Sequence, residues 1–351
     1  MEESLVPIYS RDLEYYIDDG NVILLVETTL FKVHRSMLMK DESVFCGMFS
    51  LPTENAFETS GAATIPAERS SMDGQSDESP IRLPEITAGQ FRALLWSLYA
   101  LPADLVATAE TQSQEHRFVD LATISHKYQF ITMEKWALNT LVALYIHQGC
   151  AYDMLDRLTA VAVMCDYKPL LDIVLVQWRR SIGEGFGLLN AAEVFQRHGL
   201  HDLLGLTYLA LLCKKRHEWP ADNKHVIRLL NGYYNLVQEC SSLPNTPPHF
   251  EHASTCTSAP RCGENWRKTW KRVIIEIHTG KLGKAAQVYR FDLPGQFSLA
   301  LSVFQAIVDD TIPEHGGLDK MVKECRLNAL DATRTKAKDV QGNLITYFSD
   351  L

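Results

Sequence analysis

Long apolar runs are missing from this chain. The longest, residues 203–213, is broken by Gly205 and Thr207 and is far shorter than a membrane span requires, so no membrane is expected as a partner. No Asn-x-Ser/Thr sequon occurs, and Met1-Glu2-Glu3-Ser4 opens no apolar stretch of the signal-peptide kind. A basic balance is missing too. The 34 Lys and Arg stand against 43 Asp and Glu, a net charge of -9, which argues against nucleic acid as a direct partner. Catalytic signatures are absent: there is no phosphate-cradling G-x-x-x-x-G-K-[ST] loop, no G-x-S-x-G elbow and no H-E-x-x-H. With no such constellation, neither enzyme activity nor a small-molecule substrate is expected. The eight cysteines are scattered, and Cys46, Cys165 and Cys213 fall inside apolar helical patterns, as reduced buried thiols do. The expected setting is intracellular, in the cytoplasm, the nucleus or both.

What is present starts with residues 19–49. Asp18-Asp19-Gly20 is turn chemistry, because aspartate and glycine tolerate the backbone angles a turn needs. Residues 22–26 form an unbroken apolar run of strand length, the pattern of a strand buried on both faces. After a turn at Glu27-Thr28, Leu30-Phe31-Lys32-Val33 reads as the returning strand. From His34 the period becomes helical, through Met37, Leu38, Phe45, Met48 and Phe49, with Ser43 placed to cap the second short helix. Residues 1–17 are apolar enough to pack but too short to decide between strand and helix. Residues 53–79, rich in Ser, Thr, Gly and acid, read as a mobile insertion.

Order resumes with a short edge strand bracketed by Pro80 and Pro84. Thr87-Ala88-Gly89-Gln90 matches a capping box, and the helix it opens carries Phe91, Leu94, Leu95 and Leu98 on one face and stops at Pro102. A polar connection over 103–116 precedes two more helices. One is lined by Phe118, Leu121, Ala122, Ser125 and Tyr128, and the other by Met133, Trp136, Ala137, Thr140, Leu141, Leu144 and Tyr145.

The order Val33-His34-Arg35, Leu38, Ser43-x-Phe45, Met48-Phe49, then Leu98-Tyr99 and His126-Lys127-Tyr128, resembles the BTB/POZ domain, most of all the large BTB family of mushroom-forming fungi. The aspartate that the family usually carries before the first strand's valine is Asn21 here. The resemblance implies an α+β fold, a small mixed sheet with a shell of short helices, over residues 1–148 with a core at 18–147. It implies a non-enzymatic protein–protein interaction module that self-associates as a homodimer, in longer members by exchanging an N-terminal segment. It also implies an adaptor role toward cullin-type ubiquitin ligases. For that role the connection after Leu98-Tyr99 lacks a clear hydrophobic-x-Glu contact, and the nearest candidate is Thr108-Ala109-Glu110. The alternative reading is a transcriptional regulator acting with DNA-binding partners. His34-Arg35 has no carboxylate or nucleophile at a catalytic spacing and is read as a strand-to-helix corner held by hydrogen bonds.

Residues 149–240 are a procession of amphipathic helices, comparable to the BACK-type extension that follows some BTB domains, and residues 203–213 are apolar nearly all round. Ser181 to Gly187 reads as a turn between helices. Residues 241–264 form a loop carrying four prolines, and residues 265–351 return to helix, with Trp266, Trp270, Ile274 and Ile277 inward and Arg267, Lys268, Lys271 and Arg272 outward. Residues 344–348 are expected to tuck back or fray. Within the loop, His249-x2-His252-x3-Cys256-x5-Cys262, with Cys240 upstream, is the cluster with metal-ligand chemistry. Two imidazoles and two thiolates suit tetrahedral zinc, but the spacing fits no standard finger and a packed loop anchor explains it as well. No metal and no other cofactor is assigned.

Overall fold

The structure, a computed structural model, describes residues 9–50, 74–109, 114–147, 149–281, 289–309 and 317–349. The fold is α+β, a small four-stranded mixed sheet near the N-terminus followed by helices. The chain divides into two compact units, Met1–Gln177 and Trp178–Leu351.

The first unit is built on the expected hairpin. It comprises β1 (Ser10–Tyr16), β2 (Val22–Val26), β3 (Thr29–Val33), α1 (Arg35–Leu38), α2 (Val44–Ser50) and β4 (Ile81–Arg82), with strand order β1-β3-β2-β4. β2 and β3 are antiparallel, while β1 runs parallel to β3 and β4 parallel to β2. Every residue of β2 is buried, as its unbroken apolar run requires. A Cβ on Gly20 would meet the backbone of Lys32 and Val33 at 2.9 Å, so the chain can fold this close only with glycine there. The undecided lead-in resolves as β1, paired with its own sheet; residues 1–8 lie outside the described residues.

Of the expected mobile insertion at 53–79, residues 53–73 lie outside the described residues, but its end, from Gly74, is tied down, which corrects that reading there. Ile23 N–H donates to the Gly74 carbonyl at 2.7 Å. Asp77 accepts from the Arg11 guanidinium at 2.7 and 2.9 Å and from the Tyr16 hydroxyl at 2.6 Å. Burial works against the charged carboxyl, but these two donors and the Arg11 charge hold Asp77 below the usual carboxylate range. Ser43, expected to cap α2, turns its hydroxyl back to donate to the Leu38 carbonyl at 2.5 Å.

Helices follow the sheet: α3 (Ala88–Tyr99), α4 (Pro102–Ala109), α5 (Glu115–Tyr128), α6 (Ile131–Tyr145), α7 (Leu155–Met164) and α8 (Lys168–Glu184), the last running across the division. The capping box at Thr87 is complete. Gln90 N–H donates to Thr87 Oγ1 at 3.2 Å, and Thr87 N–H donates to Gln90 Oε1 at 3.0 Å. The expected polar connection at 103–116 is corrected by α4, because Pro102 opens a helix as well as closing off the one before it. Phe31 meets Phe91 edge-on at 4.9 Å, joining β3 to α3, and Phe45 stacks on Tyr128 at 4.8 Å, joining α2 to α5.

The second unit contains α9 (Leu188–His198), α10 (His201–Leu212), α11 (Asn223–Ser242), α12 (Ala259–His278), α13 (Leu293–Val308), α14 (Lys323–Gly342) and a closing 3-10 turn, Leu344–Phe348. Gly185 and Gly187 adopt φ of 70° and 60° between α8 and α9, the expected helix–helix turn. α12 starts at Ala259 and not at Asn265. Pro260 sits in its first turn, so part of the expected loop is helix. Trp266, Trp270, Ile274 and Ile277 are buried, and Arg267, Lys268, Lys271 and Arg272 are exposed, as their spacing predicts. The closing turn tucks back. Leu344 and Phe348 are fully buried, and Phe348 stacks on Tyr208 of α10 at 5.3 Å. Among the described residues no helix is long and apolar enough to cross a membrane.

Candidate functional site

Polar and metal-ligating side chains converge at three places among the described residues. The first is the corner at the end of β3. His34 N–H donates to the Tyr99 hydroxyl oxygen at 3.0 Å, its Nδ1 lies 3.0 Å from the same atom, and its Nε2 lies 3.4 Å from the Asp19 carboxylate. Arg35 N–H donates to Asn21 Oδ1 at 2.8 Å, so the Asn21 side chain serves the backbone at this corner. The Arg35 guanidinium lies over the Phe49 ring at 5.2 Å, and its Nε is buried without a hydrogen-bond partner. Burial pushes the Tyr99 hydroxyl up, the His34 backbone bond acting against it. These contacts tie the corner after β3 to the turn before β2, to α2 and to α3. The corner holds a scaffold together, as its pattern suggested.

The second place was not legible beforehand. The β1–β3 register jumps from Arg11↔Leu30 to Tyr16↔Lys32, so residues 12–15 bulge off the ladder. Asp12 is buried, and its carboxylate accepts from Glu14 N–H at 3.1 Å, Tyr15 N–H at 2.9 Å and Arg92 Nε of α3 at 2.7 Å. At the bulge's apex Leu13 is fully exposed. A leucine between two acids would ordinarily be assigned inward on a strand. The bulge reverses that, and nothing in the local pattern announces it.

The third place is the Cys/His cluster in the second unit. His252 Nδ1 and the Sγ atoms of Cys256, Cys262 and Cys325 all lie within 4.8 Å of one another. The imidazole nitrogen is 3.8 Å from Cys325 Sγ and 4.0 Å from Cys256 Sγ. Cys262 and Cys325 are buried, and each sits in the first turn of a helix, α12 and α14 respectively. The loop that brings in His252 is pinned by the two tryptophans of α12. Trp270 Nε1–H donates to the Leu243 carbonyl at 2.6 Å, and Trp266 Nε1–H donates to the Pro248 carbonyl at 2.9 Å. Phe250 is buried, meets Trp266 edge-on and packs its ring against His252 with centroids 4.6 Å apart. Burial first, then the neighbouring Cys325 and Cys256, push the Cys262 thiol up to about 12.

The structure thus brings together three of the four residues named from the sequence and replaces the fourth. His249 faces a separate groove, lined with Asn328, Asp331 and Thr335 of α14. Cys240 is buried within α11, where burial pushes its thiol up to about 12. Cys325 completes the set from a helix far along the chain, where no spacing rule points to it. A second grouping, His126, Glu134 and Cys165, has three donors, and its His126 Nδ1 is already 3.2 Å from the Glu134 carboxylate. Among known proteins, no family model, no curated protein and no solved structure matches this chain.

Proposed function

We propose that this chain is a non-enzymatic protein–protein interaction module that self-associates through its N-terminal unit. The single observation that carries the reading is Leu13. A bulge held by a buried, triply hydrogen-bonded Asp12 presents a bare leucine to solvent on a strand at the edge of the sheet. Held out from an edge strand whose outer backbone groups are unpaired by the sheet, this side chain gives a second copy an apolar group to cover beside a strand to pair with. The resemblance to BTB/POZ domains supports the same reading, because that family associates through this end of the fold. A cullin is a second partner class. In its favour, Leu101 and Val106, beside and on α4, are both exposed and supply apolar anchors where the chain pattern offered none; Glu110 lies outside the described residues.

Sedimentation of the whole chain tests the primary reading. The native protein is expected to dimerise. Leu13→Asp is expected to be monomeric with an unchanged circular dichroism spectrum, because a fully exposed site contributes little to stability. A native protein that stays monomeric at every concentration reached, or a Leu13→Asp variant that still dimerises, would overturn it. Capture of a purified cullin by the immobilised chain, abolished by Val106→Asp, is the check on the second partner.

A further inference from the structure

We propose that His252, Cys256, Cys262 and Cys325 hold one structural zinc ion, which clamps the loop before α12 to the first turns of α12 and α14. The donor set is the first argument. Three thiolates and one imidazole form a recognised tetrahedral zinc shell, and such soft donors select zinc over magnesium or calcium. The spacing is the second. In a tetrahedral site with Zn–S near 2.3 Å and Zn–N near 2.05 Å, donor atoms sit about 3.6–3.8 Å apart. The 3.8 and 4.0 Å sulfur–nitrogen separations are those of that shell slightly expanded, and all four donor atoms lie within 4.8 Å of one another.

The surroundings suit the ion. Cys262 and Cys325 each lie in the first turn of a long helix, whose positive end favours thiolate. Ala253 N–H donates to Cys325 Sγ at 3.3 Å, the kind of backbone contact that offsets charge on a metal-bound sulfur. The His252 ring is fixed by Phe250, with Nδ1 turned toward the sulfurs and Nε2 toward Gly263, where a Cβ would stand 3.8 Å away. On binding, each thiol gives its proton to solvent, and three sulfurs and one nitrogen fill the four positions. No position is left for water or substrate, so the ion is structural and not catalytic. A disulfide is the competing use of these cysteines. It would join two of the three sulfurs and leave the third thiol and the imidazole converging without purpose.

Elemental analysis of the whole chain, purified without a metal-affinity step, is expected to return one zinc per chain. Cobalt replacing it should give the intense visible bands of a tetrahedral thiolate site. Cys325→Ser and His252→Ala should lose stoichiometric zinc, whereas His249→Ala should keep it. If Cys325→Ser fails to fold, the cobalt spectrum of the native chain decides the matter. The proposal is overturned if neither the native chain nor chain reduced and refolded with zinc retains the ion, if iron is found in its place, or if fewer than all 8 thiols titrate after denaturation in chelator.

Discussion

Glycine inside a helix normally weakens it, by roughly 0.5–1 kcal/mol relative to alanine, yet α10 and α11 each place one at a point of closest approach. A Cβ on Gly205 would meet Ile345 N at 2.7 Å, and a Cβ on Gly232 would overlap the Phe348 ring. Replacing either by alanine therefore opposes helix propensity with a steric clash. Gly232→Ala is expected to lower stability by about 1–3 kcal/mol, the usual penalty of overpacking, as read by urea titration. Phe348→Ala should cost about 3–5 kcal/mol by leaving a cavity beside Tyr208. At Asp77 the expectation concerns pH. Its carboxyl is held below its ordinary value in the folded state, so its contribution is complete above the ordinary carboxylate pKa and fades as pH falls through the folded one. Protection of the Gly74 and Ser79 amides, taken relative to their intrinsic exchange rates, should fall on acidification below about pH 4, and Asp77→Ala should show the lower protection already at neutral pH. Of these residues only the core aromatics were legible in the sequence. Cys325 was hidden because a metal shell assembled from three segments has no local period, while His249 drew attention by proximity alone.

Elements were read well where one physical signal dominated. The Val22–Val26 run could only be a doubly buried strand, and the Thr87–Gln90 box specified the start of α3 by its reciprocal hydrogen bonds. Thr87→Ala removes one half of that box and is expected to cost about 1 kcal/mol, measurable by thermal unfolding. Elements were misread where a residue type carries two meanings. In sequence Pro102 and Pro260 read as breakers, yet each stands in the first turn of a new helix, where its missing N–H has no partner to lose. The β1 bulge was invisible for a different reason. Asp12 holds it by accepting from the adjacent Glu14 and Tyr15 N–H groups and from Arg92 of α3, and no short window of sequence contains that last partner.

For the molecule as a whole, the metal clamp and the corner at His34 belong to different units and should respond separately. Chelation is expected to raise amide exchange in residues 246–258 and the first turns of α12 and α14 while leaving β2 protected, which hydrogen-exchange mass spectrometry can read directly.

The closing turn has a consequence in time. Leu344 and Phe348 fill the contact between α10 and α11, against Gly205 and Gly232, so the face those helices share stays open until the ribosome has delivered residue 348. At roughly 5–20 residues per second, α11 waits on the order of ten seconds with a greasy groove unfilled. Nascent chains stalled before Leu344 should therefore be the ones that chaperones hold, and release past Phe348 the step that sets the second unit free of them.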